Sequence, residues 1–111
     1  MRTITKILVL ISLLLPVQLL AGEIFGSIME GDISVGEGVK VEIISPNKTT
    51  YTDTTDKNGA YRIFLKEKGK CIITIQYKGQ TPSGELFSYD RSLRYDWVLE
   101  AKEGKYSLRR K

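Results

Sequence analysis

TDTTDKNGAYRI, residues 52–63, is the stretch from which the fold can be worked out. Threonine is β-branched and favours extended backbone, so residues 49–55 are predicted to form a strand whose polarity places it at a thinly buried sheet edge. The Asp56 side chain can bond the backbone two residues on, and the Asn58-Gly59 pair suits positive φ. Residues 60–66 then alternate between apolar and polar side chains. We therefore expect a β-hairpin with Asp56, Asn58 and Gly59 as structural turn residues.

The first 21 residues have the composition of a secretory signal peptide. Arg2 and Lys6 make its start positive, residues 7–15 are almost wholly Ile, Leu and Val, and Pro16 ends that run. We expect cleavage after Ala21 or Gly22. The alternative is an uncleaved anchor, but the apolar run is shorter than the roughly 20 residues that span a bilayer. The chain is therefore predicted to be exported to the periplasm or the cell surface, with membrane contact only through this segment if it stays uncleaved.

The remaining chain is long enough for one modest core. Without Arg2 and Lys6 its 17 basic residues become 15 against 13 acidic ones, so the net charge is +2 and no nucleic-acid partner is indicated. We expect one domain over residues 23–101, followed at 102–111 by a basic C-terminal tail or an extra strand. Cys71 is the only cysteine, so no disulfide within the chain can form. Its apolar surroundings predict a buried, inert thiol, the alternative being a bond to another chain.

Strand-like alternation recurs along the chain, and no stretch after residue 22 has a sustained helical period. Residues 23–29, 39–45, 70–78 and 93–99 alternate, with glycine-rich or proline-containing turns between them. Gly26 inside the first strand indicates a close backbone approach or a bulge. Short alternating runs separated by turns predict an all-β fold, an antiparallel sandwich or barrel.

The order of these features resembles the carboxypeptidase regulatory-like domains, a branch of the transthyretin-like (prealbumin-like) sandwiches. The resemblance rests on residues 24–28, on residues 38–43, and on the pattern Thr52-x-Thr54-x-Asp56-x-x-Gly59-x-Tyr61-x-Ile63, which is followed by a second glycine turn and a strand at 69–75. It covers residues 24–77, and beyond them only 94–99 fits loosely. Collagen-adhesin B-type repeats share almost the same signature. The resemblance implies a seven-stranded, prealbumin-like sandwich without catalytic residues, an accessory domain in the peptidases that contain it.

The chain contains no histidine, which excludes Ser-His and Cys-His catalysis and histidine-based zinc sites. Two enzyme groups of similar fold, the 5-hydroxyisourate hydrolases and the intradiol dioxygenases, need histidine in their sites. Other chemistries remain as alternatives, and the residues for them are Asp53, Asp56 and Asn58 for Ca²⁺, Glu85 with Asp90 or Asp96 with Glu100 for glycoside hydrolysis, and Lys40 with Glu42 for an isopeptide bond. Turn chemistry and outward-facing strand positions explain these residues more simply. We expect no enzyme activity, metal or cofactor.

A cluster of aromatic and arginine side chains follows residue 88 and forms a candidate binding surface. Its members are Tyr89, Arg91, Arg94, Tyr95 and Trp97. If Trp97 is exposed, a sugar can stack on it. If it is buried, Leu93, Tyr95, Trp97 and Leu99 are the core face of a strand.

The sequence thus predicts a non-catalytic exported sandwich with a structural or protein-interaction role. Its partner would be a protein, or a cell-envelope glycan if the alternative of a carbohydrate-binding module through Trp97 and neighbouring tyrosines holds. A strand at a sheet edge, such as the threonine-rich one, offers a place where a partner strand could add.

Overall fold

The computed structural model describes residues 22–111, so the predicted signal peptide lies outside the described residues. Ten strands and no helix occur within that range. They are β1 Gly22–Glu30, β2 Ile33–Ser34, β3 Lys40–Ile44, β4 Thr50–Thr54, β5 Ala60–Leu65, β6 Gly69–Gln76, β7 Ser83–Ser88, β8 Ser92–Arg94, β9 Trp97–Lys102 and β10 Lys105–Arg110. They form two sheets around a common core, which confirms the prediction of an all-β sandwich.

The smaller sheet is antiparallel, with strand order β4-β3-β6-β7. The central pair, β3 and β6, places Val41 opposite Ile75 and Ile43 opposite Ile73, and all four side chains are buried. The strand β4 pairs with β3 alone, so the predicted edge position of the threonine-rich strand is confirmed.

The larger sheet is built around β1, whose two halves have different partners. The first half pairs with β5 antiparallel and with β8 parallel, and the second half pairs with β2 antiparallel and with β9 parallel. The strand β10 forms a hairpin with β9, so the residues after 102 include an extra strand of this sheet.

The strands β8 and β9 are one strand with an interruption at Tyr95 and Asp96. Glu23 opposes Ser92 and Ile28 opposes Trp97, and both pairs are separated by 69 residues, so the register continues through the break. At the break, the Ser27 N–H donates to the Asp96 Oδ1 at 2.8 Å and the Tyr95 N–H donates to the Phe25 carbonyl at 2.8 Å.

Gly26 makes this interruption possible. A Cβ at Gly26 would lie 1.9 Å from the Tyr95 carbonyl oxygen, so no larger residue fits without a backbone shift. The close approach that the sequence predicted at Gly26 is confirmed.

The core lies between the sheets and follows the predicted alternation. Its largest fully buried apolar side chains are Ile24, Ile28, Ile43, Leu65, Ile73, Ile75, Leu86 and Leu99. A Cβ at Gly84 of β7 would lie 2.8 Å from the Trp97 Cζ3, so the indole packs directly against the backbone of the opposite sheet. Burying these apolar groups is the main force that holds the two sheets together.

Three expectations from the sequence are corrected. The strands β4 and β5 do not form a ladder, because β4 pairs with β3 and β5 pairs with β1 in the other sheet. The alternating apolar residues of β5 face the core from the wall opposite β3, and Ile63 lies beside Ile24 of β1. Residues 22–111 form ten strands rather than about seven, because β2 is a separate short piece, Asp96 divides one strand into two, and β10 is added. The segment 79–85, where proline and glycine predict a loop after the alternating run 70–78, contains the start of β7.

Candidate functional site

The turn residues Asp56, Asn58 and Gly59 have the geometry of a structural turn. The Gly59 N–H donates to the Asp56 carbonyl at 2.9 Å, and Gly59 has φ of 75°. The Asp56 carboxylate accepts from the backbone N–H groups of Ala60 at 3.0 Å and Asn58 at 2.8 Å. These two hydrogen bonds hold the pKa of Asp56 below its usual value. The carboxylate therefore orders its own loop.

The Asp53 side chain does not join Asp56 in a cation site. Its Oδ2 accepts from the Arg62 N–H at 2.8 Å, on the strand β5 beyond the turn. Within residues 22–111 no group of three or more acidic or cysteine side chains is arranged to hold a metal ion.

The aromatic and arginine cluster is not one surface. Trp97 is 2% exposed and Tyr95 is 9% exposed, and their rings stack at 6.1 Å. The Trp97 Nε1–H donates to the Tyr61 hydroxyl at 3.1 Å, inside the core. Arg94 is turned to the Asp96 carboxylate at 2.8 Å. Neither Trp97 nor Tyr95 can stack on a sugar, so the carbohydrate-binding interpretation loses the side chains on which it depended.

The other two members of that cluster lie together on the loop between β7 and β8. Tyr89 is 43% exposed, and the Arg91 guanidinium lies 5.3 Å from the centroid of its ring. This is an exposed cation–π pair, which contributes little by itself.

The carboxylates proposed as pairs each face a basic side chain. Glu85 lies 3.0 Å from Lys70, Asp90 lies 3.7 Å from Lys68, and Glu100 lies 3.0 Å from Arg109. These are surface ion pairs, worth about 0–1 kcal/mol each. On β3, Lys40 is exposed and Glu42 is half-buried on the outer face, as the alternation predicted, so an isopeptide bond has no buried lysine there.

An open depression of about 710 Å³ lies at one end of the sandwich and is lined in part by Glu30, Ile33 and Tyr77. The Glu30 carboxylate accepts from the Tyr77 hydroxyl at 2.6 Å and from the Tyr106 hydroxyl at 2.8 Å. These bonds lower the pKa of Glu30, and the Lys78 ammonium lies 3.7 Å away. The polar groups at this end are thus engaged with one another, and they tie β1 and β10 to the end of β6.

The edge strands of the two sheets are the remaining candidate binding surfaces. On β5, side chains bond several of the outward backbone groups. The Asp53 carboxylate accepts from the Arg62 N–H, and the Tyr51 hydroxyl accepts weakly from the Lys66 N–H at 3.4 Å. The Ala60 N–H is taken by Asp56. Side chains from β4 and the turn thus bond N–H groups that would otherwise face outward along β5.

Side chains also engage the edges of β7 and β10, at one residue of each strand. The Tyr95 hydroxyl accepts from the Phe87 N–H at 3.1 Å and donates to the Phe87 carbonyl at 3.2 Å. On β10, the Gln80 side chain accepts from the Tyr106 N–H at 2.8 Å and donates to the Gly104 carbonyl at 2.8 Å. Closing edges with side chains protects a sheet from adding a foreign strand.

The edge of β4 differs from these three. The Thr55 N–H donates to the Val39 carbonyl and the Ser45 N–H donates to the Thr49 carbonyl, which fixes the odd-numbered residues of this strand as those that pair with β3. In an antiparallel ladder the alternate residues point their N–H and C=O groups to the other side. Thr50, Thr52 and Thr54 therefore direct their backbone groups outward, and among the described residues no side chain bonds them.

Sequence reasoning identified the edge strand but missed the residues that close the other edges. The sequence suggested Asp53 as a ligand for a cation and Tyr95 as part of a sugar-binding surface. It predicted no role for Tyr51 or Gln80. The only sequence signal was the presence of polar side chains beside strand ends. Which backbone groups they reach depends on strand pairing between distant segments.

Comparison with known proteins adds no relative. No family model matches the chain, and no curated protein matches it significantly. Within residues 22–111 the structure has no helix long and apolar enough to span a membrane.

Proposed function

We propose that this chain is an exported, non-catalytic β-sandwich domain that serves a structural or protein-interaction role at the periplasm or cell surface, and that it engages its partner along the outer edge of β4. The observation that supports the proposal is the contrast between edges. Side chains close β5, β7 and β10 at least in part, whereas the outward backbone groups of Thr50, Thr52 and Thr54 are open within the described chain.

Strand addition is the recognition mode that suits such an edge. A partner strand gains main-chain hydrogen bonds from a sheet whose central strands are already rigid. The strand β4 contains no proline or lysine, two residues that often keep an edge strand from pairing.

Two further parts of the proposal come from the sequence. The charged start, apolar run and small residues of 1–21 support export. The threonine strand, Asp-x-x-Gly turn and following aromatic at 52–63 support a domain of the carboxypeptidase regulatory-like type, in which such a sandwich accompanies other domains. The non-catalytic role is supported by the engagement of polar side chains in internal hydrogen bonds, as at Glu30 and Asp56.

The test is capture from an envelope extract of the source cell with the purified domain as bait. The matched baits are the wild type, Thr52→Pro and Glu85→Pro. Each proline removes one outward N–H, on the edge of β4 or of β7, where proline is tolerated best. Proteins held by the wild type and by Glu85→Pro but lost from Thr52→Pro support the proposal. The same proteins on all three baits would overturn strand addition at β4.

Export is tested on its own by fractionating cells that express the full chain and sequencing the N-terminus of the product. A product in the envelope or medium that begins at Gly22 or Glu23 supports it. A full-length product in the cytoplasm would overturn it.

A further inference from the structure

The sequence of β4 suits pairing with a second copy of the same strand. Thr50–Thr54 reads Thr-Tyr-Thr-Asp-Thr, so threonine occupies every position whose backbone groups point outward. When a second copy lies antiparallel about a twofold axis at Thr52, Thr50 meets Thr54 and Thr52 meets itself. We propose that two copies of this chain associate through β4, in register about Thr52, to form one continuous eight-stranded sheet.

The hydrogen bonding of this arrangement is complete over the strand. Thr50, Thr52 and Thr54 are the residues with outward N–H and C=O groups, and in this register they face one another as the hydrogen-bonded pairs. Each such pair exchanges two bonds. Three pairs therefore use every outward backbone group of β4 in both copies.

The side chains also match in this register. On the outer face the three threonines form cross-strand Thr–Thr pairs, which are among the favourable ones. On the other face Tyr51 meets Asp53 of the second copy, so no like charges face each other. A shift of the axis to Asp53 would place the two Asp53 carboxylates opposite each other, and a shift to Tyr51 would leave Thr54 outside the threonine pairs.

The neighbouring strand does not oppose this contact. Lys40 and Glu42 on β3 lie beside Thr54 and Thr52, and their opposite charges alternate along the strand. The contact is a single strand pair and buries less surface than a standard interface, so we expect a weak, concentration-dependent dimer.

The inference rests on the proposed use of the β4 edge, and purified protein tests it separately. Sedimentation equilibrium of residues 22–111 should show a monomer–dimer equilibrium by about 1 mM protein, where an association with a millimolar Kd is well populated. Thr52→Lys should shift the protein to monomer, because the two introduced ammonium groups would face each other, while Thr74→Lys on the central strand β6 should not.

Cysteine cross-linking tests the register. In a hydrogen-bonded antiparallel pair the Cα atoms lie about 5.5 Å apart, within disulfide range. Thr52→Cys alone should oxidise to a covalent dimer. Thr50→Cys and Thr54→Cys should each form no disulfide-linked dimer, since each residue would lie about 13 Å from its copy, but an equimolar mixture of the two should cross-link. Cys71 is 1% exposed and should not take part.

The outcomes separate the two proposals. A monomer at all concentrations, with no cross-link at position 52, would overturn self-association. If the envelope extract still yields a protein that depends on Thr52, the proposed function stands with a different partner. Cross-linking of Thr50→Cys with Thr52→Cys in place of the predicted pairs would overturn the register.

Discussion

The Asp96 carboxylate occupies the place of a backbone carbonyl in the parallel pairing of β1 with the strand formed by β8 and β9. Its Oδ1 accepts from the Ser27 N–H, and its Oδ2 accepts from the Arg94 guanidinium at 2.8 Å. Partial burial alone would raise the pKa of Asp96, but the hydrogen bonds from Arg94 and Ser27 outweigh it, so the pKa is lowered. A carboxyl group whose pKa is lowered by folding stabilises the folded state only while it is ionised.

The first prediction is a pH-dependent effect of Asp96→Asn. Because the pKa falls below its ordinary value on folding, the contribution of the carboxylate is complete above about pH 4 and is lost as the pH falls through the lower, folded-state pKa. At neutral pH we expect Asp96→Asn to lower the free energy of unfolding by about 1 kcal/mol. Urea unfolding should show this difference shrink as the pH falls below about 4. Asp32→Asn, in an exposed turn, is the control, and an unchanged gap at low pH would contradict the assignment.

At the scale of the strand, side chains take the place of missing strand partners at the sheet edges. The strands β4 and β5 leave the same turn and then diverge into different sheets, and Asp53 bridges the gap between them by accepting the Arg62 N–H. The side chain thus replaces a ladder that the two strands do not form. It also removes a donor that a foreign strand would otherwise bind.

The second prediction concerns this bridge. Asp53→Ala should free the Arg62 N–H and raise its amide exchange rate by about tenfold, as expected for the loss of one hydrogen bond. Asp53→Asn keeps an acceptor oxygen at the same place and should leave the rate near that of the wild type. Exchange measured by NMR at Arg62 and at the central-strand amide of Ile73 separates the local effect from global unfolding. An equal acceleration at both amides would mean that Asp53 acts on overall stability instead.

For the molecule as a whole, the two sheets share a core that depends on no covalent cross-link within the described chain. Cys71 lies in that core at 1% exposure, and it is a free thiol. Burial raises its pKa, so the reactive thiolate is disfavoured. The expectation of a buried thiol is confirmed, and the folded domain offers no sulfur for an intermolecular bond.

The third prediction follows from that burial. An aromatic disulfide reagent at mildly alkaline pH should react with Cys71 only when the domain unfolds. The reaction rate should therefore decrease as the free energy of unfolding increases. Freshly reduced Thr52→Cys provides an exposed thiol in the same fold and should react at once. Rapid modification of the wild type under native conditions would show that the sheets open locally near Cys71.

Much of the fold could be predicted because alternation is a local property of the chain. Residues 39–45 contain β3, residues 70–78 contain all of β6 except Gly69, and the polarity of residues 49–55 correctly indicated an edge strand. Gly26 was correctly expected at a close approach because glycine inside a strand has few other uses. The break at Asp96 could not be predicted, since apolar alternation continues through it.

The sequence by itself determined the positions of the long strands β1, β3, β5 and β6, the turn at Asp56 and Gly59, the buried side of β3 and β6 and the outward direction of Lys40 and Glu42. Only the tertiary structure decided that the two strands around that turn belong to different sheets, that Trp97 lies against Gly84 in the core, and that β4 keeps an open edge. The reason is physical. Alternation and turn chemistry act between neighbours in sequence, whereas the partners of a strand edge come from segments tens of residues away, and are selected by how the whole core packs.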